Sequence, residues 1–309
     1  MTREAEEDTL EIYPPSLSHD ARQANPLSSQ VKLDVAATTH VGKVRESNED
    51  NYLVVRGGRS LEMLLSSVPD KMPQCVNETG YAMIVADGMG GAAAGEIASS
   101  TAMLTLVSLV LNTPDWILQT TEPMPEEIMA RLEQRFVDVD AAVSERAKET
   151  PELTGMGTTL TVAWSIGYDL FIGHVGDSRA YLHRRGELRL LTRDQTLAQS
   201  LIDRGMLPTD QNFARRFRHI LTQAIGTSGR SLQPEINRWR LEDGDRLLLC
   251  TDGLNEMVDD STIASILGSH EASHDACEAL LNLALNNGGV DNITVVLGRY
   301  QFPDQDSNS

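Results

Sequence analysis

MIVADGMGG (residues 83–91) is an apolar run that stops at an aspartate and continues into a glycine-rich turn. An apolar run bounded by turn residues is typical of a buried strand. A carboxylate at the end of such a strand is costly to bury unless a cation meets it. Asp87 therefore predicts a nearby cation: an arginine, a metal that accompanies a nucleotide, or a metal that the chain itself holds.

The same pattern, an apolar strand next to an acid, recurs along the chain. FIGHVGD ends at Asp177 and LLLCTD ends at Asp252, while Glu49 and Asp50 stand before NYLVV and Asp291 stands before NITVV. For a single Asp-Gly pair the simpler interpretation is a turn. Repetition at strand ends favours several carboxylates that share one site.

Carboxylates that share a site repel each other and take up protons unless hard cations lie between them. A ligand set made only of oxygen favours magnesium or manganese over zinc. Arg45 precedes Glu49 by four residues, and its guanidinium can grip two oxygens of a phosphate beside the metals. Metals with an arginine indicate phosphoryl chemistry, whereas a surface ion pair between Arg45 and a nearby acid is the simpler alternative.

Short β-like runs and longer helical patterns mix along the chain without regular alternation. Helices are predicted over residues 95–112, 125–149 and 271–287. Strands are predicted over residues 33–41, 51–55, 81–86, 159–164, 170–175, 179–184, 246–250 and 292–300. Two helices follow one another with no strand between them and several strands are consecutive, which favours packed sheets covered by helices.

One folded domain, residues 31–301, is expected between two tails. Residues 1–30 are rich in acids and prolines, which predicts a flexible acidic N-terminal tail, and residues 302–309 are expected to form a C-terminal tail. Residues 56–80, with RGG and two prolines, predict a loop or insertion.

The bulk composition limits the classes of function. The chain has 309 residues, 40% of them hydrophobic, and a formal net charge of −19, which opposes binding to nucleic acid or to an anionic membrane. Three cysteines without a CxxC pair suit a reducing cytosol, and the acidic start MTREAEEDTL does not resemble a signal peptide. The apolar run 101–112 predicts a core helix too short to span a bilayer. We expect a cytoplasmic monomer.

Six motifs follow one another between about Thr39 and Tyr300: HVGKVRESNEDNY, VADGMGGAAAGEIAS, GMGTTLTVAW, HVGDSRAYL, LLLCTDGL and GGVDNITVV. In this order they resemble the metal-dependent serine/threonine protein phosphatases of the type 2C class, in a bacterial-type form. The resemblance implies an α+β fold, a four-layer αββα sandwich in which helices flank two central, mainly antiparallel β-sheets. It also implies a site for two Mn²⁺ or Mg²⁺ ions at one edge, with a third, weaker site beside them.

The resemblance implies a role for each matching position. The implied metal ligands are Glu49, Asp87, the Gly88 carbonyl, Asp252 and Asp291, with Asp87 bridging two ions and Asp177 joining Asp252 at the third. Asp50 would orient the attacking water, and Arg45 would hold the substrate phosphate. The implied reaction is hydrolysis of phosphoserine and phosphothreonine in proteins by direct attack of a metal-bridging hydroxide, in signalling that counteracts a serine/threonine kinase.

Two segments add detail to the resemblance. Eukaryotic members carry a histidine, a proposed general acid, where this chain has Met89, so the leaving oxygen would take its proton from water. Residues 193–226 resemble the helix and mobile flap of bacterial-type members. Arg215, Arg216 and Arg218 either meet acidic phosphopeptides there or form a solvated basic face.

Other interpretations of the motifs stand beside this one. GMGGAA (88–93) fits the G-x-G-x-x-G/A pattern of dinucleotide-binding domains, but a helix replaces the strand that would carry the ribose-binding acid. A phosphatase-like module that binds phosphoproteins without hydrolysing them remains an alternative, although an idle site has no need of so many uncompensated charges. We assign no chemistry to the histidines His40, His174, His183 and His219, which are interpreted as packed or surface residues.

Overall fold

The computed structural model describes residues 27–62, 75–112, 125–206, 217–227 and 231–303. Eleven strands in these ranges form two sheets in which every pair of neighbours is antiparallel. The first sheet has the order β1 (Lys32–His40), β11 (Ile293–Gln301), β10 (Arg246–Cys250), β7 (Arg179–Arg184), β8 (Glu187–Leu190). The second has the order β2 (Asp50–Glu62), β3 (Cys75–Met89), β5 (Leu160–Ile166), β6 (Asp169–Val175), β9 (Glu235–Arg240), and β4 (Gly157–Thr158) pairs with the end of β3.

Helices cover the outer faces of both sheets. Their bounds are α1 (Leu27–Gln30), α2 (Ala92–Leu111), α3 (Pro125–Glu149), α4 (Leu197–Asp203), α5 (Asp252–Asn255), α6 (Asp260–Ser269) and α7 (Ser273–Asn286), with a 3₁₀ turn at Pro151–Leu153. The helix α3 begins at Pro125, a residue that tolerates the first turn because its missing N–H has no partner there in any case. Its predicted apolar stripe, from Ile128 to Val143, is buried.

Three apolar cores separate the layers. One lies between α2, α3 and the second sheet and includes Phe136 and Ile84. The middle core lies between the two sheets, where Met83 meets side chains of the first sheet such as Val296. The third packs α6 and α7 on the first sheet, with Leu280 buried. The four-layer αββα sandwich is therefore confirmed, and it explains why residues 83–86 of β3 are apolar without alternation: both faces of the strand are covered there.

The predicted elements agree with the structure where they are apolar and fail where they are polar. All eight predicted strands are present, but β4, β8 and β9 were not predicted. The sequences of β8 (ELRL) and β9 (EINRWR) are rich in charge, and both strands lie at sheet edges, where one side is solvated.

Residues 56–80 were predicted as a loop or insertion, and they are not a loop at either end. Residues 56–62 continue β2 and residues 75–80 continue β3, in a ladder that pairs Arg56 with Tyr81 and Glu62 with Cys75. Antiparallel pairing with a neighbour satisfies the backbone groups of this polar stretch, which lacks the apolar pattern of a buried strand. Residues 63–74, between the two strands, lie outside the described residues.

The predicted tail boundaries also need correction. Residues 27–30 form the helical turn α1, with Ser28 buried. Phe302 stacks on Tyr168 with 4.5 Å between ring centroids, and its amide donates to Asp243 at 2.8 Å. Both contacts attach predicted tail residues to the domain. The rest of both tails, residues 1–26 and 304–309, lies outside the described residues, as do Arg215 and Arg216 of the predicted flap.

The predicted helix 95–112 is present as α2, Ala92–Leu111, and as a whole it is longer than the apolar run 101–112 that we judged too short to span a bilayer. Its stretch Ala94–Leu111 is long and apolar enough to cross a membrane by length and composition alone. A core helix satisfies the same criteria, and α2 buries Ala98, Ala102 and Leu106 in the core that it shares with α3 and the second sheet. The packing supports its interpretation as a core helix.

Candidate metal centre

The acidic residues predicted for the site come from five chain segments and meet at one edge of the sandwich. Asp50 begins β2 and lies directly opposite Asp87, near the end of β3, in the antiparallel register. The strands β2 and β3 belong to the second sheet, and two further acids come from neighbouring strands of the first sheet. Asp252 follows β10, and Asp291 precedes β11. Asp177 follows β6. The ends of both sheets therefore bring these carboxylates to the same place.

Electrostatic coupling shows how closely the acids lie. Burial raises the pKa of Asp87 well above its ordinary value, and the charges of Asp50, Asp252, Asp177 and Asp291 raise it further. Burial likewise raises the pKa of Asp252, with added repulsion from Asp177, Glu256, Asp291 and Asp50. Acids from the other segments act on both Asp87 and Asp252, so the segments form one acidic cluster rather than separate turns.

Asp50 is the most deeply enclosed of these acids. It is 5% exposed, and its Oδ2 accepts a hydrogen bond of 2.7 Å from the hydroxyl of Thr251. Burial raises its pKa to about 7, against the opposing effect of hydrogen bonds from Thr251 and Thr294. Asp50 Oδ1 and Asp252 Oδ1 are buried and have no hydrogen-bond partner within the described ranges. Buried carboxylate oxygens without a donor fit a site built for hard cations.

Glu49 is positioned through its backbone. Its N–H donates to Asn292 Oδ1 at 2.8 Å, and its carbonyl accepts from Ser99 Oγ at 2.6 Å. The Asn292 amide in turn donates to the carbonyls of Val41 and Ser47, both at 2.9 Å. Asn292 thus joins the chain before Glu49 to the start of β11, next to Asp291. Burial raises the pKa of the Glu49 carboxyl, while Arg45 lowers it.

Two hydroxyls from the GMGTT motif (155–159) hold the backbone of Asp87. Its N–H donates to Thr159 Oγ1 at 2.9 Å, and its carbonyl accepts from Thr158 Oγ1 at 2.8 Å. Next to it, Gly88 donates to the Glu49 carbonyl at 3.2 Å. A Cβ at Gly88 would collide with the carbonyl oxygen of Gly95, so only glycine permits this close approach of β3 and α2.

Arg45 lies at the rim of the cluster. Its Nη2 donates to Asp291 Oδ2 at 2.7 Å, and its side chain is 55% exposed. The hydrogen bond to Asp291 raises the pKa of Arg45, and the charges of Glu49 and Asp87 add to this effect. The structure therefore shows the ion pair that was the simpler alternative, and the Arg45 side chain remains exposed to solvent.

Several residues of the site were not predicted from the sequence. Glu256 follows Asp252 by one helical turn, a spacing that predicts neighbouring side chains, yet only Asp252 was selected. His219 was interpreted as an ordinary histidine, but its Nδ1 lies 3.4 Å from Glu256 Oε1. Asn292 and Glu96, whose charge acts on Glu49, carry no local sequence signal that marks them.

Comparisons with known proteins identify the family of the chain. Residues 69–287 match the family described as protein phosphatase 2C. The chain is 34% identical over 265 residues to the serine/threonine protein phosphatase PstP of Mycobacterium tuberculosis, a match that covers 86% of this chain but 44% of PstP. It is 33% identical over 267 residues to the protein phosphatase PhpP of Streptococcus pneumoniae, covering 86% of this chain and 96% of PhpP.

A solved structure shows the same architecture. The catalytic domain of PstP, determined in complex with two manganese ions, has a TM-score of 0.68 and 32% sequence identity. The match covers 88% of this chain and 99% of that one. The ordered motifs, the four-layer sandwich, the acidic cluster and these matches lead to one conclusion: the chain belongs to the protein phosphatase 2C family.

Proposed function

We propose that this chain is a metal-dependent protein phosphatase that hydrolyses phosphoserine and phosphothreonine in proteins. The observation that carries the proposal is the convergence of carboxylates from five chain segments, with Arg45 at their rim. The family and its named members support the same activity.

The acidic cluster fits two divalent cations. Its proposed ligands for Mn²⁺ or Mg²⁺ are Glu49, Asp87, the Gly88 carbonyl, Asp252 and Asp291, with Asp177 and Asp252 available to a third ion. Bound there, the cations would supply water of lowered pKa and positive charge facing the phosphoryl oxygens. The chain contributes the position of each ligand, since Asn292, Thr158 and Thr159 fix the backbone of Glu49 and Asp87.

Two other residues, Arg45 and Asp50, act on the substrate or on water. Arg45 binds the phosphate through guanidinium N–H groups that Asp291 does not use. Asp50 holds Thr251 through one oxygen and orients a water through the other. Met89 cannot donate a proton, so the leaving serine or threonine oxygen takes its proton from water.

The setting in the cell is part of the proposal. The net charge of −19 opposes contact with nucleic acid and anionic membranes. We propose a cytoplasmic monomer that reverses the action of a serine/threonine kinase on shared protein substrates.

Phosphate release tests the proposed activity. Purified chain is incubated with phosphoserine and phosphothreonine peptides, and with p-nitrophenyl phosphate, in Mn²⁺, in Mg²⁺ or in EDTA. We expect release in either metal and none in EDTA. Full release in excess chelator contradicts the proposal, and metal-dependent binding of phosphopeptide without release supports a non-catalytic binding module instead.

A further inference from the structure

An apolar groove lies between the second sheet and the helices α2 and α3 that cover it. It has a volume of about 290 Å³. Most of its lining is aliphatic or aromatic and includes Ile84, Leu106, Val107, Leu132 and Trp164. None of the acids predicted for the metal centre is among its lining residues. The groove is therefore a feature separate from that centre.

Arg135, on α3, lies in the wall of this groove. The residue is 8% exposed, and its guanidinium carbon lies 5.9 Å from the centre of the Trp164 ring. Burial lowers the pKa of Arg135, and the charge of Arg131 lowers it further, whereas Asp138 raises it. In the part of the chain that the structure describes, no carboxylate forms an ion pair with Arg135. A buried cation of this kind needs an anion to offset its desolvation.

Imperfect packing explains the volume of the groove but not its charge. A cavity that only separates apolar side chains needs no arginine in its wall. Arg56, which is exposed on β2, adds a second cation to the lining. Apolar lining also continues to the surface, where Leu111 is 77% exposed and Val55 is 38% exposed. An exposed apolar surface beside cations fits a ligand that carries apolar side chains next to acids.

The N-terminal part of this chain has that composition. Residues 1–26 carry six acids and two arginines. Five of these acids lie within residues 4–11, beside the apolar side chains of Leu10, Ile12 and Tyr13. We call residues 4–13 the acidic segment. Its charge is complementary to the arginines of the groove, and its apolar residues match the lining.

The described chain begins near the groove. The helix α1, Leu27–Gln30, packs against β3. The Tyr81 hydroxyl, on β3, donates to the carbonyl of Val31 at 3.2 Å, and Tyr81 also lines the groove. Residues 14–26 connect the acidic segment to α1 and span up to about 45 Å when extended. Layers in such a sandwich are about 10 Å apart, so the acidic segment can reach the groove.

We propose that the acidic segment docks in this groove of its own chain, with its apolar side chains on the lining and its carboxylates beside Arg56 and Arg135. Attachment to the same chain gives the segment a high effective concentration at the groove, so that modest complementarity suffices for docking. The inference concerns a surface outside the metal centre and does not depend on the proposed phosphatase activity.

Photocross-linking of the full chain tests the contact directly. The photoreactive residue p-benzoylphenylalanine replaces Ile12, and mass spectrometry of the digested protein maps the cross-links. We expect cross-links to residues 106–111 or 131–135. Val107→Glu, which places a carboxylate in the groove, should lower their yield at least about fivefold. The matched control Leu104→Glu changes a 71% exposed residue of α2 that does not line the groove, and it should leave the yield unchanged.

A second pair of variants tests the charge. Arg56→Glu should lower the yield of groove cross-links at least about threefold, because it sets like charges against each other. The control Arg204→Glu changes an exposed arginine that follows α4 and does not line the groove, and it should have no effect. Both arginines are exposed, so the variants are expected to fold, and circular dichroism checks this for every variant.

Other occupants of the groove give different results. A mixture of ¹⁴N- and ¹⁵N-labelled chains separates cross-links within one chain from those between two copies, and groove cross-links found only between copies overturn the inference. The same photoreactive residue at Leu118 tests residues 113–124, which lie outside the described residues; more groove cross-links from Leu118 than from Ile12 also overturn it. So does the absence of groove cross-links from Ile12.

Phosphate release measured on the same samples separates this inference from the proposed function. We expect Val107→Glu and Arg56→Glu to release phosphate at the rate of the wild type, since neither residue belongs to the metal centre. Groove cross-links in a wild type that releases no phosphate support the docking and contradict the proposed function. Metal-dependent release without groove cross-links overturns only the docking.

Discussion

Asp50 and Asp87 are register partners across β2 and β3, so their carboxylates project from the same face of the sheet. Burial raises the pKa of both, to about 7 for Asp50 and well above the ordinary value for Asp87. Carboxyl groups of an unfolded chain have pKa values of about 4. Without a cation, the folded chain therefore keeps protons on Asp50 and Asp87 at a pH where the unfolded chain has released them.

The first prediction follows from that difference. Since the folded state binds more protons, the free energy of unfolding of the metal-free chain decreases as the pH rises from about 4 through about 7. In EDTA, we expect the melting temperature to fall by several degrees between pH 5 and pH 8. Saturating Mn²⁺ should reverse the trend, because the metal binds the deprotonated carboxylates. A melting temperature in EDTA that rises with pH would contradict the raised pKa values of Asp50 and Asp87 in the metal-free protein.

The second prediction concerns removal of one charge. Asp87→Asn and Asp252→Asn should each lower turnover by about a thousandfold or more, because each removes a proposed metal ligand. In EDTA the same variants should melt higher than the wild type, since each relieves repulsion within the cluster. The exposed Asp275 on α7 provides the matched control: Asp275→Asn should leave turnover unchanged. Near-normal turnover in either site variant argues against the ligand assignment.

The sequence predicted the parts of the fold and site that have a local signal. A run of apolar residues followed by an acid marks both a buried strand and the carboxylate at its end, and this signal identified Asp87, Asp177 and Asp252. The acids before NYLVV and NITVV were found in the same way. Their roles came from the family resemblance and remain predictions, whereas their convergence is a property of the structure.

The parts that were missed depend on contacts between distant segments. Asn292 acts on carbonyls about 250 positions away along the chain, and no pattern around it indicates that role. The edge strand β9 is held by backbone pairing with β6, which charged side chains do not reveal. His219 and Glu256 are 37 positions apart along the chain, and only the fold brings Nδ1 of His219 to 3.4 Å from Oε1 of Glu256.

The third prediction tests Asn292 as a structural link. Asn292→Ala removes hydrogen bonds to the Val41 and Ser47 carbonyls and to the Glu49 N–H, and it leaves those groups unpaired. We expect a loss of about 2–4 kcal/mol in the free energy of unfolding, measured by urea denaturation. The control Asn287→Ala, which removes one exposed hydrogen bond to Met257, should cost less than about 1 kcal/mol. Equal losses in the two variants would show that Asn292 has no special role.

The fourth prediction addresses Arg45. Arg45→Ala should raise KM for phosphopeptides by about tenfold or more with a smaller change in kcat, because the guanidinium binds the phosphate before reaction. Arg45→Lys keeps the charge but loses the planar fork, so it should recover only part of the affinity. The surface ion pair with Asp291 is exposed on the Arg45 side, and its loss alone should change stability by less than about 1 kcal/mol. An unchanged KM in Arg45→Ala would leave that ion pair as the only role of Arg45.

The last prediction uses two helical glycines. A Cβ at Gly95, in α2, would collide with Glu49 Oε2, whereas a Cβ at Gly268, in α6, meets its nearest neighbour, His183 Nε2, at 3.8 Å. Alanine is favoured over glycine in a helix by about 1 kcal/mol, so Gly268→Ala should be neutral or stabilising. Gly95→Ala must instead displace the Glu49 carboxylate, and its Cβ would also lie 2.9 Å from the Gly88 carbonyl carbon. We expect it to weaken Mn²⁺ binding at least about tenfold, measured by titration calorimetry. If the two variants bind Mn²⁺ with equal affinity, then a side chain at residue 95 does not disturb the metal site. That result would exclude Glu49 as a metal ligand whose position depends on Gly95.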